Sequence, residues 1–181
     1  MQSIRISEEE LVVSLGDAKA YFRILHEEED ALIERVLRSA TEQAEQITNR
    51  VLKRATFLLT IEDFSNVTLE RTPFVWGVSV SYIDNAGERV LLPSTYYNVS
   101  IDDSARATLS FVSVPDDYFG SIEITYDAGY EKTPAQIETY ILSTALTLFE
   151  NREHIVVGTM VSTKVANLYK RLLDSYRVIP V

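Results

Sequence analysis

The side chains best suited to chemistry are scattered along this sequence. The two histidines, His26 and His154, lie far apart, and neither falls in an HExxH spacing, which would place two imidazoles on one helix face. His154 has Glu150 and Glu153 nearby as further metal ligands, but a solvated helix end explains these three residues better. The histidines therefore predict no metal site.

Two pairs of adjacent aspartates, Asp102-Asp103 and Asp116-Asp117, are the next candidates for metal-dependent chemistry. Both pairs fall where we predict loops, and neither lies in a loop with the ligand spacing of a Ca²⁺ site. Aspartates in such places most often form turns. A small metal-dependent hydrolase that uses these four carboxylates nevertheless stays open as an alternative.

Motifs for nucleophilic catalysis and for phosphate binding are also missing. The glycines form neither GxxxxGK[ST] nor GxGxxG, and no serine lies in a GxSxG motif. The sequence therefore predicts no catalytic residues, no cofactor and no enzymatic activity.

The composition narrows the class of protein further. The 181 residues suit one compact domain or two small ones, and the lack of cysteine excludes disulfides and thiolate metal sites. No apolar run approaches the roughly 18 residues that a membrane span needs. The net charge of −10 argues against tight binding to nucleic acid or to an anionic membrane.

Two parts of the sequence, residues 1–54 and 133–154, are predicted to be helical and would position side chains from helices. Apolar residues recur at spacings of three and four in residues 1–54 and again in 133–154, as in helices with one buried stripe. We predict that Asp17 caps a short helix opening near Leu15, and that Thr133 and Pro134 begin a later helix. The predicted stripes are Ile33, Val36, Leu37, Ala40, Ala44, Ile47 and Val51, then Ile137, Ile141, Ala145, Leu148 and Phe149.

The spacing of apolar residues changes to the alternation typical of β-strands near Ala55, and it returns to the helical spacing at Thr133. Residues 55–132 carry a net charge of −8, and we predict that they form a small antiparallel β insertion. The turn signal Asp84-Asn-Ala-Gly87 separates two of its strands. Strands are predicted at 57–61, 67–69, 78–82, 89–92, 96–101, 106–112 and 121–127.

The C-terminal residues 155–181 differ from the rest of the chain in charge. An uncharged apolar stretch, 155–162, precedes a predicted amphipathic helix, and the segment is net +3 while the remainder is net −13. The fold class predicted is α+β: mainly a helical bundle (1–54 plus 133–154), with the β insertion 55–132 and a C-terminal loop and helix that dock on a partner (155–181).

A series of short motifs also runs along the chain in a characteristic order. They are residues 15–24, 30–33, 40–52, 72–74, 78–87, 97–99, 124–130, 134–153, 157–159 and 172–177. The range 134–153 ends in Phe149-Glu-Asn-Arg-Glu153. In this order and spacing they resemble the head–tail connector proteins of tailed bacteriophages, also called adaptor or head-completion proteins, which have relatives in gene transfer agents.

The resemblance implies a structural function. Such proteins form a ring of roughly twelve subunits under the portal, extend the DNA channel, and join head to tail in a phage or prophage. Implied partners are the portal protein, neighbouring copies, and the next connector or tail protein; DNA passes without specific binding, and no membrane is involved. The expected location is the virion neck, after assembly in the cytoplasm of the bacterial host.

A C-terminal segment of these proteins commonly docks on the portal, which agrees with the charge and apolar pattern of 155–181. The residues predicted to dock are Val157, Met160, Lys164, Leu168, Arg171, Leu172 and Tyr176. Two alternatives stay open: the segment can instead fold back on its own chain, and the protein can be a tail terminator or another neck protein.

Overall fold

The computed structural model describes residues 3–151 and 171–178, which divide into two compact units. Residues 3–9 and 54–130 form the first, here called the β unit. Residues 10–53, 131–151 and 171–178 belong to the second, here called the helical unit. Within these residues, no helix combines the length and apolar character needed to cross a membrane.

The β unit contains two antiparallel sheets. In chain order its strands are β1 (Ile4–Arg5), β2 (Ala55–Ile61), β3 (Val67–Leu69), β4 (Phe74–Asp84), β5 (Arg89–Leu91), β6 (Tyr97–Ile101), β7 (Ala107–Phe111) and β8 (Tyr118–Ala128). The larger sheet has the order β1-β2-β8-β4-β5, and the smaller one β3-β7-β6. The long strands β4 and β8 lie next to each other, so the larger sheet is built around the two strands with the most residues to pair.

Alternation of side chains along the strands creates the core of the β unit. Leu59 of β2 faces Ile124 of β8, which in turn faces Val80 of β4, and all three are buried. The smaller sheet buries Leu69 and Leu109 in the same way. Because side chains alternate with a period of two, the neighbouring positions Thr60 and Ser79 lie on the exposed face.

The helical unit contains α1 (Leu15–Phe22), α2 (Asp30–Thr48) and α3 (Ala135–Glu150). Each helix buries one stripe: Ala18 on α1; Ile33, Val36, Leu37, Ala40 and Ala44 on α2; and Ile137, Tyr140, Ile141, Ser143 and Ala145 on α3. The rings of Phe22 and Phe149 lie 5.6 Å apart and join α1 to α3. Lys19 and Asp30 join α1 to α2 through a 2.6 Å ion pair.

The mixed α and β composition predicted from the sequence is confirmed, but the description of the protein as mainly helical is wrong. Strands and α-helices occupy similar numbers of the described residues, because β4 and β8 extend beyond the predicted bounds and α1 is short. Residues 4 and 5 also differ from the prediction, since they form a strand that pairs with Leu58 and Phe57 instead of joining the helices.

Both predicted helix caps are corrected by the structure. The N-cap of α1 is Ser14, whose Oγ accepts a 3.1 Å hydrogen bond from the Asp17 N–H, so Asp17 already lies inside the helix. Thr133 does not cap α3, because its hydroxyl donates a 2.7 Å bond to the Leu52 carbonyl instead. Thr133 thereby ties the start of α3 to the segment that follows α2.

Candidate functional site

The described end of the C-terminal segment, residues 171–178, is fixed to the helical unit near the end of α2. The Val178 N–H donates to the Thr48 carbonyl at 2.9 Å, and the Arg50 Nε donates to the Tyr176 carbonyl at 2.7 Å. Leu173 is completely buried and Val178 is nearly so. This end of the chain is therefore part of the core of the helical unit.

The predicted docking residues divide into two groups. Val157, Met160, Lys164 and Leu168 lie outside the described residues. Arg171 is exposed, whereas Leu172 and Tyr176 are partly exposed, so these three side chains reach the surface that flanks the buried Leu173. Their docking on a partner stays a prediction.

Residues that sequence reasoning missed hold this segment in place. The chain leaves α2 through Asn49, whose backbone is left-handed with φ 54°, and this turn brings Arg50 toward the carbonyl of Tyr176. An asparagine at the end of an amphipathic stripe is a sequence signal for the turn. No local signal indicates a partner 126 residues away.

Four aromatic rings, here called the aromatic cluster, fill one end of the β unit: Phe64, Tyr82, Phe111 and Tyr118. Phe64 lies at its centre, 5.0 Å from both Phe111 and Tyr118 in edge-to-face geometry. The Tyr82 hydroxyl donates to Asp117 at 3.0 Å, and the Tyr118 hydroxyl donates to the Glu62 carbonyl. The first bond holds the loop between β7 and β8 against the cluster, and the second holds the residues that follow β2.

The surroundings of the two tyrosine hydroxyls in the cluster raise their pKa values. Burial raises the pKa of Tyr82, and its hydrogen bond to Asp117 raises it further. Burial also raises the pKa of Tyr118, with smaller contributions from the nearby carboxylates Asp63 and Glu62. Both hydroxyls therefore serve as hydrogen-bond donors, and that of Tyr82 holds the loop between β7 and β8.

Two bulges between β4 and β8 each present an aromatic side chain to solvent. Val75 faces Asp127 and Ser79 faces Thr125, so β4 bulges around Trp76, which is 77% exposed. Tyr118 faces Asp84 and Ile122 faces Tyr82, so β8 bulges around Phe119, which is 68% exposed.

A glycine with positive φ follows each of these aromatics: Gly77 at 127° and Gly120 at 104°. Only glycine readily adopts this backbone conformation. An aromatic residue followed by glycine inside a strand is thus the sequence signal for both bulges.

The candidate metal residues do not come together in the described part of the chain, where no three His, Cys, Asp or Glu side chains form a possible metal site. Asp102 accepts backbone hydrogen bonds from Ser104 and Arg106, as expected for a turn aspartate. His26 lies 3.8 Å from Glu29, while His154 and Glu153 fall outside the described residues.

A cavity of about 20 Å³ lies in the β unit beside Tyr126, with Ser3, Leu59, Thr68 and Glu70 around it. A space of this size holds a single water molecule and is too small for an organic substrate. The described residues also expose apolar and charged side chains, as surfaces that bind other proteins do.

A family model described as phage gp6-like head-tail connector protein matches residues 12–177. No curated protein matches the sequence.

Three similar solved structures cover 100% of this chain and 97% of their own chains. They are the neck of an empty gene transfer agent particle computed with C6 symmetry (TM-score 0.78, 18% identity), the virion of a native gene transfer agent particle (0.75, 18%), and the neck of a native particle computed with C12 symmetry (0.70, 19%). At these identities the likeness shows a common fold over the whole chain.

Proposed function

Because this chain belongs to the phage gp6-like head–tail connector family, we propose that it forms a ring beneath the portal, extends the DNA channel and joins head to tail. The family match over residues 12–177 carries this proposal, since it includes parts of both units and the described C-terminal residues. The protein is a structural, phage-like head–tail connector.

The proposed ring contains roughly twelve copies, each meeting the next through two different faces. One of the similar solved structures, a particle neck computed with C12 symmetry, supports this number, and the neck computed with C6 symmetry is compatible with it. We propose that the ring lies in the virion neck, that it assembles in the cytoplasm of the host, and that its far side receives the next connector or tail protein.

The net charge of the chain suits a channel through which DNA moves. A protein binds DNA nonspecifically by releasing counterions from phosphates, and that gain requires Lys and Arg on the protein surface. With a net charge of −10, this protein has little to gain in that way. DNA therefore passes through the ring without specific binding.

We propose that the C-terminal segment docks on the portal through Val157, Met160, Lys164, Leu168, Arg171, Leu172 and Tyr176. The exposure of Arg171 and Arg177 and the partial exposure of Leu172 and Tyr176 support this role. In such an interface the apolar side chains act as anchors and the cations form a charged rim, with anchors worth about 2 kcal/mol each when truncated.

The ring is tested by adding the purified protein to the portal protein of the same phage or prophage. The isolated chain is expected to be a monomer in light scattering, and rings on the portal are expected in electron micrographs. A tight two-fold dimer as the only species, with and without portal, contradicts the ring. Contact with the tail tube alone favours a tail terminator instead.

Portal docking is tested with point substitutions, because truncation would also remove the buried Leu173 and Val178. The double variant Leu172→Ser/Tyr176→Ser is expected to bind the portal at least about tenfold more weakly in a pull-down titration. Leu91→Ser, at another exposed apolar residue, is the matched control and is expected to bind normally. Equal binding by all three proteins contradicts the docking assignment.

A further inference from the structure

Three apolar side chains project from the end of the β unit that holds the aromatic cluster. Val112 is 65% exposed, Val114 is 53% exposed, and Phe119 is 68% exposed. All three belong to the loop between β7 and β8 or to the first residues of β8. They are called the apolar tip below.

The backbone that presents the apolar tip is well fixed. The Val112 N–H donates to the Tyr96 carbonyl at 2.8 Å, and Asp117 accepts the bond from Tyr82. Phe111 and Tyr118, the residues before Val112 and Phe119, are held in the aromatic cluster. A fixed apolar surface of this kind loses little conformational entropy when a partner binds.

Carboxylates accompany the apolar tip. Asp116 and Asp117 lie in its loop, and Glu62 and Asp63 lie near Tyr118, whose pKa they raise. Among the described residues none of these four carboxylates forms an ion pair.

Most arginines of the β unit are already engaged elsewhere, so they do not neutralise these acids. Arg54 pairs with Asp127 at 2.7 Å and Arg89 with Glu123 at 2.8 Å, while Arg71 bonds Ser3 and lies over the ring of Phe57. A partner surface that carries positive charge would therefore complement these acids.

We propose, on the basis of the proposed connector function, that the apolar tip docks on a cationic surface of a different protein of the particle. Nucleic acid is repelled by the carboxylates. A second copy, which carries the same net charge of −10, is the outcome that the crosslinking test below distinguishes. A protein surface with Lys or Arg around an apolar socket matches both the charge and the shape of the tip.

The natural lack of cysteine allows a direct test. Val114→Cys is labelled with a thiol-reactive photo-crosslinker and added to heads assembled without this protein, followed by tails, and the particles are then purified and irradiated. We expect a crosslink to a Lys- or Arg-rich segment of another particle protein. Asp103→Cys, in the turn at the opposite end of β7, is the matched control and is expected not to crosslink to that segment.

Substitutions provide a second measurement on the same particles. Phe119→Ser and Asp116→Lys are each expected to lower the yield of complete particles about tenfold or more. Phe119→Leu retains an apolar side chain and is expected to restore most of the yield. Ile101→Ser and Asp103→Lys make comparable changes at the opposite end of β7 and are expected to leave the yield unchanged.

The other outcomes are also decisive. Crosslinks to a second copy or to DNA overturn the proposal, as does the absence of any crosslink in particles that contain the labelled ring. A normal yield with Phe119→Ser overturns it as well. Failure of the unmodified protein to form a ring on the portal is a separate result, visible by electron microscopy, and it refutes the connector proposal itself.

Discussion

The β unit and the helical unit expose apolar side chains by different means. In the β unit, bulges beside Gly77 and Gly120 turn Trp76 and Phe119 out of the alternating pattern of the strands. In the helical unit, Leu172 and Tyr176 flank a buried Leu173 in a segment that the chain adds at its end. Backbone conformation at the glycines thus determines the exposed surface of the β unit, whereas burial of Leu173 determines that of the helical unit. Substitutions at these positions should affect the two surfaces differently.

The largest expected effect concerns the burial of the C-terminal segment. Leu173→Ala removes a completely buried side chain, so we expect the free energy of unfolding to fall by about 2–5 kcal/mol. Leu172→Ala, at the partly exposed neighbour, should cost less than about 1 kcal/mol. Urea denaturation followed by circular dichroism measures both, and equal losses would show that residues 171–178 are not part of the core.

Most of the fold could be predicted from hydrophobic period. The alternation of Phe57, Leu59 and Ile61, and the spacing of Ile33, Val36 and Leu37, follow directly from which face of each element is buried. The expectation that residues 57–61 and 121–127 form strands is confirmed. These local patterns needed no knowledge of tertiary contacts.

The missed features depend on contacts that a local pattern does not contain. Thr133 is of a residue type that often caps helices, yet its hydroxyl donates to the Leu52 carbonyl, 81 residues away. Residues 4 and 5 are too short a run to be recognised as a strand without β2 beside them. For the candidate surfaces, charge and apolar content indicated the C-terminal segment, whereas the apolar tip required the bulge at Gly120.

The next largest effect contrasts glycines of the two units. Gly120→Ala should destabilise the β unit by about 1–2 kcal/mol, because φ is +104° there and alanine adopts that conformation only with strain. The added Cβ itself has room, since the nearest atom, in Ile83, is 3.8 Å away. Gly16→Ala in α1 should instead stabilise the protein by about 0.5 kcal/mol, since alanine is the better helix former. Thermal melting of both variants tests this, and a shift in the same direction would contradict the contrast.

A smaller effect is expected from the tyrosine hydroxyl that fixes the loop of the apolar tip. Tyr82→Phe removes the hydrogen bond to Asp117 and should cost about 1 kcal/mol at neutral pH. Tyr96→Phe, in the same unit, is the control and should cost less. The measurement is the free energy of unfolding in urea, and equal losses would mean that the bond contributes nothing.

The same hydroxyl makes stability depend on alkaline pH. Because the folded pKa of Tyr82 is raised above 10.0, the stabilisation is complete below that pH and is lost as pH rises through the folded pKa. Wild-type stability should therefore fall above about pH 10, and Tyr82→Phe should weaken that fall. An unchanged pH dependence in the variant would assign the loss to other groups.

The smallest effect comes from two ion pairs on the exposed face of the larger sheet. Arg89 bonds both oxygens of Glu123, at 2.8 and 2.9 Å, but its side chain is 62% exposed. Asp127 is only 21% exposed, and it accepts bonds from Arg54 and from the Thr56 hydroxyl. Double-mutant cycles to alanine should give about 0.2–0.5 kcal/mol for Arg89–Glu123, and a larger value, up to about 1 kcal/mol, for Arg54–Asp127.

Salt should sharpen this difference. In 1 M NaCl the screening length falls to about 3 Å, so the coupling of the more exposed Arg89–Glu123 pair should disappear. The Arg54–Asp127 coupling should persist in part, because Thr56 and the lower exposure of Asp127 keep its geometry fixed without help from long-range attraction. Equal coupling energies that decline together with salt would mean that the bond from Thr56 to Asp127 does not strengthen the Arg54–Asp127 pair.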